Sequence, residues 1–261
     1  MKDINFTKYK RVFAFGCSFT NYVYPTWADL IMHEMPQADC YNFGKAGGGN
    51  HFIACSIAEA NTRFKFNEDD LVMVMYSTAF REDRYINGVW QTNGNVYNQC
   101  YYDKNFVKNY VDPVGCMVRD MALIEMSKKY LEMLPCDTFF LRASALEDEM
   151  KHFFDDNMEK VVELYKDVYN DFPPTLKDTM FPNGWKATIL RGTGDNQHLD
   201  PHPLPIDYHD YLVKIGVNLT DREYAVASTE KAYKAKPDNS DWELYFPDVG
   251  ERVNRSRSVM F

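Results

Sequence analysis

Arg11-Val12-Phe13-Ala14-Phe15-Gly16-Cys17-Ser18-Phe19-Thr20 is the stretch on which the fold turns. Its short apolar run reads as a buried strand, ended by a glycine and a small hydroxyl residue, with a helix expected from Pro25-Thr26-Trp27. Open α/β sheets place ligands at the carboxyl ends of their strands. The following helix also aims backbone N–H groups at whatever sits there. Ser18 is therefore a candidate nucleophile, although Gly-Cys-Ser is also an ordinary strand-ending turn. Cys17, alternating with Ser18 on the strand exit, is expected to point into the core.

Working outward, Trp27, Leu30, Ile31 and Met35 recur at helical spacing, and Pro36 is expected to close that helix. Cys40-Tyr41-Asn42-Phe43 predicts a second strand, followed by the loop Gly44-Lys45-Ala46-Gly47-Gly48-Gly49-Asn50. A helix is expected from Asn50, placed as its N-cap, to about Phe66, and Leu71-Val72-Met73-Val74-Met75-Tyr76 reads as a buried parallel strand. Residues 81 to 112, rich in Asn, Tyr and Gly, predict an insertion or lid with a hairpin around Asn93-Gly94. Asp112-Pro113 opens a long helix, and Thr138-Phe139-Phe140-Leu141 is the next strand. Acidic helical sequence runs from about 145 to 169, a short strand is expected at 187 to 190, and two helices at about 206–215 and 221–235. The tail from Lys236 reads as a polar extension. This βαβαβαβ order predicts one domain over 1–261: a flavodoxin-like three-layer α/β/α sandwich around a parallel sheet, with a C-terminal helical extension and tail at about 216–261.

Composition narrows the function. Hydrophobic residues at 45% and aromatics at 15% supply an ample core. A formal charge of −9 argues against a nucleic-acid partner, which requires clustered Lys and Arg. No apolar window approaches the roughly 20 residues of a membrane span, and the amino-terminal residues show no leader pattern, so a cytoplasmic chain with six free thiols is expected. Oligomeric state is not legible.

Ester hydrolysis by a serine needs a base, a group that orients the base, and donors for the oxyanion. The chain offers Ser18 first and Asp200-Pro201-His202 late, ahead of a helix. His198, Asp200 and His202 alternate and in extended backbone would share a side, a plausible metal face, but no further ligand cluster accompanies them. The glycines lack the order of a phosphate-binding or dinucleotide-binding loop, and no cofactor or metal is implied.

Gly16-Cys17-Ser18-Phe19-Thr20, the glycine loop ending in Asn50, and Asp200-Pro201-His202-Pro203 together resemble the SGNH (GDSL-like) hydrolase superfamily, in particular its divergent Gly-Cys-Ser-Phe-Thr branch of bacteria and phages. The resemblance covers about residues 11–84 and 195–215. It implies Ser18 as nucleophile, His202 as general base, Asp200 as the residue orienting it, and an oxyanion hole from the N–H groups of Ser18 and Gly48 with Asn50. Gly47 and Gly49 compete with Gly48 for that role. The chain departs from the family pattern in two places. The Asp-x-His spacing is one residue shorter than usual, leaving open whether Asp200 pairs with His202 or merely neighbours it. The block after the third strand, Tyr76-Ser77-Thr78-Ala79-Phe80-Arg81, lacks the family's asparagine. Ser77, Arg81 and Trp90 are candidate substrate contacts. The reading that results is hydrolysis of a carboxylic ester, an O-acyl group on a carbohydrate or other small polar molecule. Non-catalytic binding on the same fold and O-acyl transfer are the alternatives.

Overall fold

The computed structural model describes residues 4–97, 101–145, 156–184, 189–191, 198–200, 202–234 and 245–258. Its centre is β1 (Arg11–Phe15), followed by α1 (Trp27–His33), β2 (Asp39–Asn42), α2 (Asn50–Phe64) and β3 (Asp70–Tyr76). A hairpin of β4 (Arg81–Ile86) and β5 (Val89–Asn95) comes next, then α3 (Lys104–Tyr110), α4 (Pro113–Glu132) and β6 (Asp137–Arg142). The later elements are α5 (Asp156–Asn170), α6 (Leu176–Met180), β7 (Ile189–Arg191), β8 (His198–Asp200), α7 (Pro205–Lys214), α8 (Arg222–Lys234) and α9 (Pro247–Arg257).

The main sheet runs β2-β1-β3-β6 with every pair parallel, the strand order of a flavodoxin-like sheet. Both faces are covered, so β3 is buried along its whole length. Val12, Ala14, Met73 and Met75 face α1 and α7, meeting Trp27, Ile31, Tyr208 and Leu212. Phe13, Phe15, Val72 and Val74 face α2 and α4, meeting Ile53, Ile57, Met117 and Met121. Each Val, Ile, Leu, Met or Phe side chain so buried contributes roughly 1.5–3 kcal/mol by leaving water. The fold is a mixed α/β sandwich with its parallel sheet between helical layers.

Helix boundaries follow local chemistry. Asp112 accepts from Val114 N–H at 3.0 Å and Pro113 fills the first turn of α4. At α1, Thr26 N–H donates to the buried Asp29 carboxylate at 3.0 Å.

Three expectations are corrected. The N-cap of α2 is Gly49, and Asn50 is the first helical residue with its side chain turned inward. The hairpin turns at Asn87-Gly88, whose φ values of 53° and 83° fit the left-handed pair that a two-residue hairpin demands. Asn93-Gly94 instead lies within β5, where Gly94 (φ 77°) sits opposite a shift in register between Arg81 and Asp83. The chain from 236 is not simply a polar tail. Residues 247–257 form α9, which buries Val249 and Val253 and brings Arg252 to Asp29 at 3.2 Å. The expected strand at 187–190 begins at Ile189; residues 187 and 188, like 145–155 of the acidic stretch apart from Ala145, lie outside the described residues.

Candidate active site

Gly16 makes the exit from β1 possible. A Cβ there would lie 2.0 Å from Thr20 Oγ1, so only glycine lets the chain fold back this closely. The turn is closed by Thr20 N–H and Asn21 N–H donating to Cys17 O at 2.9 and 3.2 Å. Cys17 is buried in the core and Ser18 is half-buried at the crest. No hydrogen bond among the described residues engages the Ser18 N–H or hydroxyl.

Asp200, at the end of β8, is 2% exposed and binds His202 twice. Oδ1 accepts the His202 backbone N–H at 2.9 Å and lies 2.7 Å from His202 Nδ1. The backbone bond is an Asx turn, and it brings a carboxylate two residues away into line with the imidazole. Tyr22, four residues beyond Ser18, donates its hydroxyl to Asp200 Oδ2 at 2.7 Å and stacks on the imidazole at 3.8 Å and 14°. Phe19 meets the same ring edge-on at 5.1 Å, and Tyr24 donates to His202 O at 3.3 Å. The loop carrying Ser18 thus cradles the Asp200–His202 pair. Burial pushes the Asp200 carboxyl up, but the His202 and Tyr22 hydrogen bonds outweigh it and hold the carboxyl well below the usual carboxylate range.

His202 Nε2 is buried and has no hydrogen-bond partner among the described residues. With Nδ1 oriented by a carboxylate, Nε2 is the nitrogen left to accept a proton. It is not hydrogen-bonded to Ser18 in this structure; such bonds are often long before substrate arrives.

The oxyanion candidates are placed differently from the expectation. Gly48 N–H donates to Lys45 O at 2.9 Å. Asn50 Nδ2 donates to Ser77 O at 3.3 Å and Asp120 Oδ1 at 3.4 Å, while its Oδ1 accepts Ser77 N–H at 3.0 Å. Asn50 therefore ties the start of α2 to the end of β3 with both amide protons engaged. Ser77 is buried, its hydroxyl enclosed and without a partner among the described residues. Arg81 is held by Thr78 Oγ1 at 3.1 Å and Gly48 O at 3.0 Å.

Sequence reading missed the carboxylate that organises this side. Asp83 accepts Gly49 N–H at 2.9 and 3.1 Å and Phe52 N–H at 2.9 Å, sitting where a helix N-terminus binds an anion. Burial raises its carboxyl despite those N–H bonds and the nearby His51 and Arg81. Behind it, buried Asp120 is pushed up to about 6 by burial, against Arg119 and the Asn50 amide. Nothing local marks Asp83, whose N–H donors lie 31 or more positions away, and although Asp120 pairs with the adjacent Arg119, its bond to Asn50 spans 70 positions. Tyr22 carried one local signal, its place on the Ser18 loop.

Trp90 packs edge-on against His51 and Phe52 and lines a cavity of about 740 Å³. Tyr22 lines the same cavity; Ser18 and His202 do not. The Tyr22 ring thus borders both the cavity and the imidazole. Among the described residues no three metal-ligating side chains converge, and the His198 side chain lies outside them.

No protein-family model matches the chain, and no curated protein matches it. Among solved structures it is similar to a lipolytic protein of the G-D-S-L family from Veillonella parvula, at 12% identity over 79% of this chain and 97% of that one, with a TM-score of 0.43. A GDSL-like lipase from Bacteroides thetaiotaomicron is similar at 14% identity over 86% and 88%, TM-score 0.34. An acetyl-xylooligosaccharide esterase from Geobacillus is similar at 13% identity over 82% and 98%, TM-score 0.39. These proteins are of the kind the sequence motifs resemble; at such scores the likeness assigns neither activity nor residues.

Proposed function

We propose that the chain hydrolyses a carboxylic ester, with Ser18 as nucleophile, His202 as general base and Asp200 as the residue that orients it. The observation that supports this most is the imidazole itself. Its Nδ1 is pinned to a buried carboxylate at 2.7 Å and its Nε2 is unpartnered, against the loop that carries Ser18. In the proposed reaction the Ser18 hydroxyl attacks the acyl carbon as its proton passes to Nε2. The alcohol leaves with that proton, and water attacks the acyl-enzyme by the same route in reverse. The Ser18 N–H, free of other bonds, is the oxyanion donor of first choice. A Gly48 N–H donor would first have to leave Lys45 O, and an Asn50 donor would have to leave Ser77 O or Asp120. The substrate class we favour is an O-acyl ester of a carbohydrate or other small polar molecule, with Arg81 as the contact to probe; of the other two candidates, the Ser77 hydroxyl is enclosed and Trp90 lines the cavity that Ser18 and His202 do not. No cofactor enters the scheme, and an acceptor other than water would make the same residues an acyltransferase.

A second reading, binding without turnover, is favoured by the engagement of both the Gly48 N–H and the Asn50 amide inside the protein. Losing one oxyanion donor costs about a hundredfold or more in rate. Hydrolysis of a short-chain aryl ester by wild type, Ser18→Ala and His202→Ala separates the two. Ester hydrolysis requires activity in wild type alone, together with labelling of Ser18 by a fluorophosphonate. An inactive and unlabelled wild type selects the binding reading, and activity surviving Ser18→Ala removes Ser18 from the scheme.

A further inference from the structure

The cavity of about 740 Å³ is a cleft bordered by the loop before α2, the β4–β5 hairpin and α9, and its size is that of a small-molecule site. Its walls are Phe43, Phe52, Trp90, Phe246, Val249 and Val253. The polar groups among the lining residues are largely engaged within the protein. Asn21 donates to Gly44 O at 2.8 Å, and Asn42 donates to Thr20 O at 2.8 Å while accepting Gly44 N–H at 3.0 Å. Ser256 donates to Arg252 O at 2.8 Å, and Glu59 pairs with Arg63 at 2.8 Å. Ser56 adds one hydroxyl. A sugar ring would find few free donors and acceptors here, whereas an apolar body loses nothing by entering.

Two lining residues break this pattern. Lys45 and Arg257 both carry cations at the cavity, and neither forms an ion pair among the described residues. In a chain of net charge −9, two cations with no ion pair among the described residues, beside an apolar hollow whose one lining carboxylate, Glu59, is paired with Arg63, favour a negatively charged head on an apolar body.

We propose that this cavity binds a monomeric amphipathic anion, its apolar part against Trp90, Phe246 and Val253 and its carboxylate or similar head at Lys45 and Arg257. Neither Ser18 nor His202 lines the site, Tyr22 borders both it and the His202–Asp200 pair, and its occupancy does not depend on the ester-hydrolysis reading. The test is titration calorimetry of the full chain with decanoate, decyltrimethylammonium and neutral octyl glucoside, each below micelle formation. Decanoate is expected to bind at least about tenfold more tightly than either other probe. The double variant Lys45→Glu/Arg257→Glu, both of whose changes lie on hydrated side chains, should weaken decanoate at least about tenfold. Val253→Trp, which narrows the hollow at the α9 wall, should weaken decanoate binding while a thermal melt reports the fold. No decanoate binding by wild type, equal binding of the cationic or neutral probe, or decanoate affinity unchanged by the charge reversal would each overturn the proposal. Should Val253→Trp fail to fold, the charge reversal and the probe comparison still decide it.

Discussion

Tyr22→Phe isolates one hydrogen bond in the Asp200–His202 pair. The substitution keeps the ring that stacks on the imidazole at 3.8 Å and deletes only the hydroxyl that reaches Asp200 Oδ2 at 2.7 Å. A hydrogen bond to an ionised group contributes about 1.5–3 kcal/mol. Asp200 is 2% exposed, so water cannot readily replace the lost donor and the upper half of that range is expected. The pH dependence gives the signature. The folded carboxyl is held below its ordinary range, so its contribution is fully present above the unfolded value of roughly 3.9 and is lost as pH falls toward the folded value. Urea unfolding of wild type and variant should therefore differ by about 2–3 kcal/mol at neutral pH, and the gap should narrow below about pH 4. A difference under about 0.5 kcal/mol at neutral pH, or a gap that does not change with acid, would refute this account of the pair.

The buried polar cluster beside α2 yields three further predictions. Asp83→Ala leaves the Gly49 and Phe52 N–H groups without an acceptor, a loss of about 2–4 kcal/mol in denaturant unfolding, and Asp83→Asn should recover part of it. Asp120 has a folded value of about 6 against an ordinary 3.8, so the folded state holds the extra proton and stability should decline as pH rises between them. Asp120→Asn should flatten that decline by about 1–3 kcal/mol, read from urea midpoints across that interval. Gly47→Ala places a Cβ 2.0 Å from Thr92 O at a φ of 72°, and should loosen the β4–β5 hairpin by about 1–3 kcal/mol of strain, visible as faster amide exchange in residues 81–95.

Features with a local cause were legible in the sequence. The continuous apolar run from Leu71 to Tyr76 can only be satisfied by burial on both faces, and Asp112-Pro113 carries its cap within two residues. The Asp200–His202 bond has an equally local cause, an Asx turn spanning two positions, but the sequence left open whether the two residues pair. Where two local signals were equal, register decided. Asn87-Gly88 and Asn93-Gly94 both suit a tight turn, and only the pairing of Ile86 with Val89 selects the first.

Asn50 shows how far a good local rule reaches. As the polar residue after a glycine loop it is a fitting cap. Asp83, arriving from β4, satisfies the helix N-terminus instead, and Asn50 turns inward to Ser77 and Asp120. Tyr22 reaches Asp200 across 178 positions, and Arg252 reaches Asp29 across 223. The sequence by itself determined the four strands of the main sheet, most helices and the nucleophile and Asp-x-His candidates, because hydrophobic periodicity and turn chemistry act over a few residues. Tertiary structure alone decided which donors are engaged, which carboxylate holds the helix end and which cations border the cavity. A hydrogen bond or ion pair is settled by whichever partner arrives in three dimensions, and the chain order of the residues carries no record of that.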